Sequence, residues 1–257
     1  MGKHSIKSFS AALFKKPFYL AFINIFIYFK NPIKILTCYV FEIGGYPKNI
    51  FVRTPVGVQC MAVFSYHDLI TVIECFGKLD YKASENCSVI VDFGSNIGIS
   101  ALYFLTRSQE VKVYLFEPDP RNIERLKQNL KGFEKRYELK ECAVGVLNGR
   151  LDFACDDTGR YGGLVNADLS CFSDLNQKII TVDVVSANQV LDEVLSQHNV
   201  IDIVKIDVEG YENKILGSLR GDCTSRINRI YAETEEDQEI PGFSSERYGG
   251  LIRYYRK

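Results

Sequence analysis

Short apolar runs alternate with amphipathic stretches along most of this chain from Val89 onward. The runs Val89–Phe93, Val111–Glu117 and Ile201–Asp207 have the length and the content of Val, Ile and Leu that are typical of buried strands. Between them, stretches such as Pro120–Leu130 carry apolar residues at helical spacing. Regular alternation of this kind forces a mostly parallel sheet with helices on both faces. The pattern therefore predicts an α/β fold with a doubly wound, Rossmann-like sheet.

The remaining segments are assigned by the same periodicities. A hairpin is predicted at Asn49–Val63, where Pro55 and Gly57 separate two β-rich runs, and His67–Tyr81 has helical spacing. Further strands and helices are expected at Asn96–Arg107, Tyr137–Val144, Arg150–Cys155, Ile179–Val184, Ser186–Ser196, Tyr211–Leu219, Ile227–Glu233 and Leu251–Tyr255. The predicted organisation is an aromatic-rich helical extension at 1–48, the hairpin with a linking helix at 49–86, and a catalytic domain at 87–257.

The segment Phe18–Phe29 is apolar on all sides except at Asn24, and lysines bracket it. Twelve residues of helix span about 18 Å, whereas a bilayer-spanning helix needs about 20 residues. A signal peptide is disfavoured because Asn31-Pro32 stands where a small-residue cleavage site belongs. Two interpretations stay open. Either the helix packs on the main domain or on a second copy of the chain, or residues 1–45 lie on an anionic membrane surface.

Composition narrows the class of protein. The chain has 257 residues, 46% of them hydrophobic, and a net charge of −1, so it is a folded protein with no general affinity for nucleic acid. Residues 1–53 nevertheless hold eight lysines and arginines and one acid, Glu42. Eight cysteines without a C-x-x-C pair, together with three histidines, exclude zinc-finger and thioredoxin-like classes. We therefore expect a cytoplasmic protein, with the basic segment as the one part suited to the inner membrane surface.

The turn after the first predicted strand is the strongest sign of a ligand site. It reads G-x-N-x-G rather than the G-x-G-x-x-G of dinucleotide-binding sheets, and its residues are Gly94, Ser95, Asn96, Ile97 and Gly98. The glycines let the backbone approach a ligand, and Asn96 is expected to cap the following helix. Asp92, at the end of the strand, would repel a pyrophosphate and attract the ammonium and sulfonium of S-adenosylmethionine. S-adenosylmethionine is therefore the predicted cofactor.

Two later strand ends extend the predicted cofactor site. Glu117 follows Asp92 by 25 positions and ends the second strand, where a carboxylate can accept both ribose hydroxyls. Glu141 and Cys142, at the end of the third predicted strand, fall where such sheets contact the adenine ring.

A second informative run is IDIVKIDVEGYENKIL at Ile201–Leu216. Lys205 and Asp207 are two residues apart on a buried strand, so they point to the same face, and the lysine needs a charged partner. Asp207 also lies at the carboxyl edge, where ligands collect. Glu209 follows in the turn. With Glu233 these carboxylates have the oxygen ligands that a divalent cation uses, yet a structural ion pair and helix-dipole stabilisation explain them as well, and no metal site is predicted.

Taken together, these runs resemble the FkbM-type family of S-adenosylmethionine-dependent methyltransferases. The matching strings are VDFGSNIGIS (Val91–Ser100), FEPDPRN (Phe116–Asn122), AVG (Ala143–Gly145) and the most distinctive, KIDVEGYE (Lys205–Glu212). The resemblance covers about residues 49–233. It implies the class I methyltransferase fold and O-methylation of hydroxyls, often on sugars. It also implies cofactor contacts at Asp92, Gly94, Asn96, Gly98 and Glu117, and an active-site edge at Lys205, Asp207 and Glu209.

The expected function is therefore S-adenosylmethionine-dependent O-methylation of a hydroxyl on a small molecule, sugar or glycoconjugate. Asp207 or His67 would take the hydroxyl proton, or a metal ion would lower the pKa of the hydroxyl. One alternative is a nicotinamide-dependent oxidoreductase, against which the missing third glycine counts. The other is a cofactor-binding module without catalysis. In the loop Asp156–Ser170, Arg160 and Tyr161 are expected either to cover the opening of the site or to form an ordinary surface loop.

Overall fold

The computed structural model describes residues 16–156, 162–164 and 177–257. In chain order the elements begin with α1 (Lys16–Tyr28), α2 (Pro32–Phe41), β1 (Lys48–Thr54), β2 (Gly57–Val63), α3 (Tyr66–Ile73), a π-helical turn (Glu74–Lys78), β3 (Val89–Phe93), α4 (Ile99–Leu105), β4 (Lys112–Phe116), α5 (Pro120–Asn129) and β5 (Tyr137–Lys140). They continue with β6 (Ala143–Gly145), β7 (Gly149–Asp156), β8 (Gly162–Leu164), β9 (Gln177–Ser186), α6 (Ala187–Gln197), β10 (Ile203–Ile206), α7 (Glu212–Ser218), α8 (Gly221–Thr224), β11 (Arg229–Ala232), β12 (Phe243–Tyr248) and β13 (Leu251–Arg256).

A seven-stranded sheet in the order β5–β4–β3–β10–β11–β13–β12 runs through the protein. The strands β5, β4, β3, β10 and β11 run parallel to one another, whereas β13 is antiparallel to both β11 and β12. The chain leaves β3 toward β4 and β5 on one side and later returns to add β10 on the other side. Ligands bind at the carboxyl edge of such sheets where the strand order reverses, here between β3 and β10. The predicted doubly wound α/β fold is confirmed.

Two hydrophobic cores cover the two faces of this sheet. On β3, Ile90 packs with α4 and α5 in one core, whereas Val91 and Phe93 pack with α6 and α7 in the other. Because side chains of a strand alternate between faces, Asp92 lies on the same face as Ile90. The faces of this central strand are therefore both buried, as its continuous apolar sequence predicts.

The amino-terminal helix packs on the main domain through one side. Ala21, Ile25 and Phe29, spaced at four-residue intervals, are buried in the core that contains the π-helical turn. The amide of Asn24 donates a hydrogen bond to the carbonyl oxygen of Gly77 in that turn at 2.7 Å. This packing is one of the arrangements considered from the sequence, and it accounts for only one side of the helix.

Helix α3 connects the hairpin to the sheet and starts with a capping box. The hydroxyl of Ser65 accepts from the Asp68 backbone amide, and the Asp68 carboxylate accepts from the Ser65 amide. The predicted single helix to Tyr81 is wrong in extent, because α3 ends at Ile73. The chain continues as the π-helical turn and leaves it at Leu79, which has a left-handed φ of +58°.

The third predicted strand is also wrong in extent. It is two strands, because β5 ends at Lys140 in the main sheet and β6 starts at Ala143 in a separate sheet of order β6–β9–β7–β8. This second sheet lies between β5 and α6 in the sequence. Arg160 and Tyr161, proposed above as residues covering the site, lie outside the described residues, and the short strand β8 follows them.

Two further observations concern the described part of the chain. Its seven cysteines are all free thiols. None of its helices combines the length and the hydrophobicity that crossing a bilayer requires.

Candidate active site

The turn after β3 brings the carboxyl ends of three strands together. Gly94 adopts a φ of +79°, and a Cβ atom placed there would lie 1.7 Å from the backbone oxygen of Asp207. The amides of Gly94 and Ser95 both donate to the carbonyl oxygen of Phe116, at 3.1 and 3.0 Å. Only glycine fits this close approach of β3 to β10, so the first glycine of the motif is required by the packing of the strands themselves.

The rest of the turn fixes the start of α4. Ser95 is buried, and its hydroxyl donates to the Asp92 carbonyl oxygen and accepts from the Phe116 amide. Asn96 has a φ of +47° and its side-chain oxygen accepts from the next amide, that of Ile97. The residue at the N-cap of α4 is Gly98, with a φ of +82°. The prediction that Asn96 caps this helix is therefore wrong by two positions, because the left-handed turn delays the start of the helix.

Glu117 reaches from β4 across the turn. One carboxylate oxygen accepts the Asn96 backbone amide at 2.8 Å, and the other accepts the Asp119 amide at 3.0 Å and the side-chain amide of Asn122 at 3.4 Å. Burial raises the pKa of Glu117 to about 7, although these hydrogen bonds lower it. The carboxyl group is thus held in one orientation at the floor of a cleft.

Two clefts meet at this edge of the sheet, and we name them the donor cleft and the acceptor cleft after the methyl donor and the methyl acceptor that the sequence predicts. The donor cleft, of about 630 Å³, is lined by Gly94, Asn96, Phe116, Glu117, Pro118, Asp119, Asn122, Cys142, Ala143, Val144, Phe153, Asp207, Val208 and Glu209. The acceptor cleft, of about 1010 Å³, is lined on one wall by α3 and the π-helical turn and on the other by the strand ends. Gly94, Asn96, Asp207 and Glu209 line both clefts.

Lys205 lies between two carboxylates on adjacent strands. It is paired in register with Asp92 of β3, and its ammonium lies 3.0 Å from the Asp92 carboxylate and 3.1 Å from that of Asp207. It also donates to the Gly94 carbonyl oxygen at 2.9 Å. Burial alone lowers the pKa of Lys205, but the two carboxylates outweigh burial and raise it, so the lysine stays charged.

Asp207 is the member of this group that faces the clefts, with a side chain 25% exposed. Burial would raise its pKa, but the Lys205 ammonium and a hydrogen bond with Glu233 hold the pKa of Asp207 below its usual range. The negative charge of Asp207, followed by burial, raises the pKa of Glu233 to about 10. At neutral pH the pair therefore consists of an ionised Asp207 and a protonated Glu233. The hydroxyl of Tyr81 lies 3.5 Å from the same Asp207 carboxylate.

Asp92 does not occupy the position that the sequence predicts for it. Its side chain is fully buried, accepts from the Ser100 hydroxyl at 2.6 Å and faces Lys205. Burial raises the pKa of Asp92, and Lys205 and Ser100 only partly offset that effect. The proposed direct attraction between Asp92 and a bound sulfonium is therefore wrong for this side chain, because the strand alternation that buries Ile90 buries Asp92 beside it.

Of the two residues predicted to contact adenine, only Cys142 lies at the donor cleft. Glu141 is exposed and pairs with Lys127 on α5 at 2.7 Å. The prediction for Glu141 is corrected, since the break between β5 and β6 turns this side chain outward.

Of the other predicted residues, His67 and Glu209 line the clefts, whereas Gly98 is in the lining of neither. His67 of α3 lines the acceptor cleft, and Glu209, with a φ of +51°, lines both clefts. Gly98 packs against α5, where an added Cβ would lie 3.1 Å from Leu126.

Sequence reasoning missed Tyr81 and Glu74, which line the acceptor cleft. Both lie in the amphipathic stretch predicted at His67–Tyr81, Tyr81 at its end, so their position before the sheet was the available signal.

The candidate metal ligands do not gather at this edge. Within the described residues, the group of three potential ligands that lie within 4.8 Å of one another is Asp192, Asp222 and Cys223, on α6 and α8. The oxygens of Asp207, Glu209 and Glu233 are not such a group.

The sheet order and the cleft at its carboxyl edge are those of a doubly wound, Rossmann-like fold. Residues 92–254 match the family described as the Methyltransferase FkbM domain, and the chain belongs to this family. The alternative of a nicotinamide-dependent oxidoreductase is not favoured by this match.

Individual relatives are more distant. The chain is 29% identical over 160 residues to the 2-O-methyltransferase NoeI of Sinorhizobium fredii, covering 59% of this chain and 65% of that protein, slightly under two thirds of its length. The crystal structure of methyltransferase FkbM from Methylobacillus flagellatus KT is 14% identical with a TM-score of 0.45, covering 74% of this chain and 54% of that one. The structure of M. capricolum TrmK with S-adenosyl-homocysteine is 12% identical with a TM-score of 0.35, covering 69% and 66%.

Proposed function

We propose that this protein transfers a methyl group from S-adenosylmethionine to a hydroxyl oxygen of a sugar or glycoconjugate. The observation that carries the proposal is the position of Asp207. Its carboxylate is kept ionised by Lys205 and lies where the donor cleft and the acceptor cleft meet. A carboxylate at that point is placed to accept the proton of a hydroxyl as its oxygen is methylated.

The donor cleft suits a cationic adenosyl compound better than a dinucleotide. Among its described lining residues are Glu117, Asp119, Asp207 and Glu209, and they include neither lysine nor arginine, although Arg121 pairs with Asp119 at 2.9 Å and Lys205 pairs with Asp207 at 3.1 Å from outside the lining. The lining thus offers no cation to phosphates, whereas its carboxylate oxygens suit a sulfonium and an ammonium. When bound, S-adenosylmethionine supplies an electrophilic methyl group. Glu117 would hold its ribose hydroxyls through the lone pairs that its backbone partners leave, and Cys142 and Phe153 would contact its adenine.

The acceptor cleft suits a polyhydroxylated molecule. His67, Thr71, Glu74 and Glu233 line it with groups that exchange hydrogen bonds with hydroxyls. Polar side chains of this kind can fix the orientation of a hydroxylated ligand. The name of the NoeI relative, a 2-O-methyltransferase, supports oxygen as the atom methylated.

In this scheme Asp207 takes the proton, and the other residues of the site position Asp207 or the hydroxyl. Lys205 keeps Asp207 charged and oriented. Protonated Glu233 hydrogen-bonds with Asp207 and so leaves the remaining lone pairs of Asp207 to the acceptor. Glu209 and His67 border the space where the hydroxyl is held. Positioning of the hydroxyl oxygen and exclusion of water supply most of the rate enhancement in this scheme.

Transfer of an isotopically labelled methyl group tests the proposal. The full chain is incubated with methyl-labelled S-adenosylmethionine and a panel of free sugars, lipid-linked glycans and peptides, and the label is located by mass spectrometry. Label on a sugar oxygen with wild type and none with Asp207→Asn supports the proposal. Label on nitrogen or carbon would contradict it. A protein that binds S-adenosyl-homocysteine but transfers no label to any acceptor would favour the non-catalytic alternative.

A further inference from the structure

We propose that the solvent-facing side of α1 and α2 binds the surface of an anionic lipid bilayer. We call this side the amino-terminal surface and define it by Tyr19, Phe26, Lys30, Ile33, Lys34 and Phe41. The proposal is independent of the methyl-transfer reaction, because it rests on residues outside both clefts.

Helix α1 is apolar on two opposite sides. The side with Ala21 and Ile25 is packed into the core. Tyr19 and Phe26, seven residues or two turns apart, lie together on the opposite side and are exposed. Packing on the domain explains the first stripe only. A helix that also presents aromatic residues to solvent has a second apolar surface to cover.

Helix α2 repeats this arrangement. Ile35 and Cys38 are buried, whereas Ile33 is 72% exposed and Phe41 is 59% exposed. The two exposed residues are eight positions apart and so lie on neighbouring parts of one side. Consecutive helices therefore present exposed apolar side chains in the same short segment, which single scattered surface residues do not do.

The charges around the apolar residues indicate which partner binds the amino-terminal surface. Lys30, Ile33 and Lys34 line one shallow groove at the turn between the helices, so the most exposed apolar residue of the surface has a lysine on each side. Residues 1–53 carry eight lysines and arginines and only Glu42 as an acid. Large apolar side chains bordered by lysines are the composition of helices that lie in the headgroup region of anionic membranes.

The same charges disfavour a second copy of the chain as the occupant. In a twofold dimer the same surface faces itself, so the lysines of one copy would approach those of the other. Like charges brought together across an interface oppose association. An anionic bilayer instead offers phosphates to Lys30 and Lys34 and hydrocarbon to Ile33.

Binding at this surface would bring the acceptor cleft close to the lipid. The hydroxyl of Tyr66, on α3, donates to the carbonyl oxygen of Tyr39 on α2 at 2.8 Å. The next residue, His67, lines the acceptor cleft. Helix α3 therefore contacts α2 at one residue and lines the acceptor cleft at the next, a placement suited to an acceptor carried by a membrane.

Co-sedimentation of the full chain with vesicles tests the proposal. Phosphatidylcholine vesicles with and without phosphatidylglycerol are compared in the absence of cofactor and acceptor. Wild type is expected to bind the anionic vesicles, and less so at high salt. Ile33→Glu should lower the partition coefficient about tenfold or more, and Lys34→Gln should lower it about fivefold. Both side chains are exposed, so circular dichroism and thermal unfolding should match wild type.

Leu147→Glu is the matched control, because Leu147 is 78% exposed but lies in the turn between β6 and β7. It should bind vesicles as wild type does. Equal binding to neutral and anionic vesicles, or unchanged binding of Ile33→Glu, would overturn the proposal. So would absence of binding combined with self-association in sedimentation velocity that Ile33→Glu removes, since the occupant would then be a second copy. None of these results bears on methyl transfer.

Discussion

Lys205 and Asp92 face each other on neighbouring parallel strands, with the ammonium 3.0 Å from the carboxylate and both side chains almost fully buried. This pair anchors the lysine, which then reaches Asp207 at the edge of the clefts. The buried Lys205–Asp92 pair thus fixes the position of the ammonium that keeps Asp207 ionised. Residues 92–254, which match the family, include the KIDVEG string that contains Lys205 and Asp207.

Replacing Lys205 by methionine should destabilise the protein strongly. The substitution leaves the buried Asp92 carboxylate without its cation, and breaking a buried pair in this way costs about 3–5 kcal/mol in the free energy of unfolding. Urea denaturation measures the loss. Lys127→Met is the matched control, since its pair with Glu141 is more than half exposed and exposed pairs contribute about 0–1 kcal/mol. Equal losses in the two variants would contradict the structural role of Lys205.

Replacing Asp207 by asparagine should lower kcat by about 10²–10⁴, because the amide cannot accept the hydroxyl proton. Steady-state kinetics with an acceptor found by the labelling experiment measure kcat, and calorimetry measures the affinity for S-adenosyl-homocysteine, which should change little.

Glu233→Gln is the matched control for Asp207→Asn at neutral pH. Glutamine copies the protonated carboxyl group, so this variant should keep most of its activity. A large loss of kcat in Glu233→Gln at pH 7, or full activity in Asp207→Asn, would remove the assigned roles.

The raised pKa of Glu233 predicts a pH dependence of stability. In the unfolded chain Glu233 ionises near its ordinary pKa of 4.5, whereas in the folded protein it keeps its proton until about pH 10. The folded state therefore loses stability relative to the unfolded state as pH rises between these values. Wild type should become less stable relative to Glu233→Gln from pH 5 to pH 9, measured by urea denaturation. A constant difference would show that Glu233 is ionised in the folded state.

Gly94→Ala should cost about 3 kcal/mol or more. The added Cβ would meet the Asp207 carbonyl oxygen, and the φ of +79° is itself unfavourable for alanine. Gly249→Ala separates the two effects, because Gly249 has a φ of +64° with open space around it and should cost about 1 kcal/mol. The comparison is made by denaturation. Similar costs would mean that backbone conformation alone, and not the approach of β10, requires glycine in the turn.

Much of the fold could be predicted from periodicity. The strands β3, β4 and β10 lie within the runs from which they were predicted, because continuous apolar sequence is what burial on both faces requires. Strand ends and the break at Glu141 were not predictable in this way. A strand that moves from one sheet to another keeps the same local alternation, so its pairing depends on distant segments.

The site was predicted in outline but not in its charges. Lys205 and Asp207 were placed correctly on one face from their spacing of two. Asp92 was assigned to the cleft because the sequence shows that it ends a strand but not which strand lies beside it. Once β10 is known to be that neighbour, the register places Lys205 opposite Asp92 and explains why the latter is buried. Such long-range pairing is carried by topology rather than by local pattern.

The preference of the donor cleft for an adenosyl amino-acid compound over a dinucleotide is the central claim, and a thermal unfolding assay tests it most directly. The full chain is heated with S-adenosyl-homocysteine or with NAD at matched concentrations. We predict that S-adenosyl-homocysteine raises Tm by several degrees at saturating concentration, as about 2.7 kcal/mol at a hundred times Kd implies, while NAD leaves Tm unchanged. A shift with NAD and none with S-adenosyl-homocysteine would contradict the account.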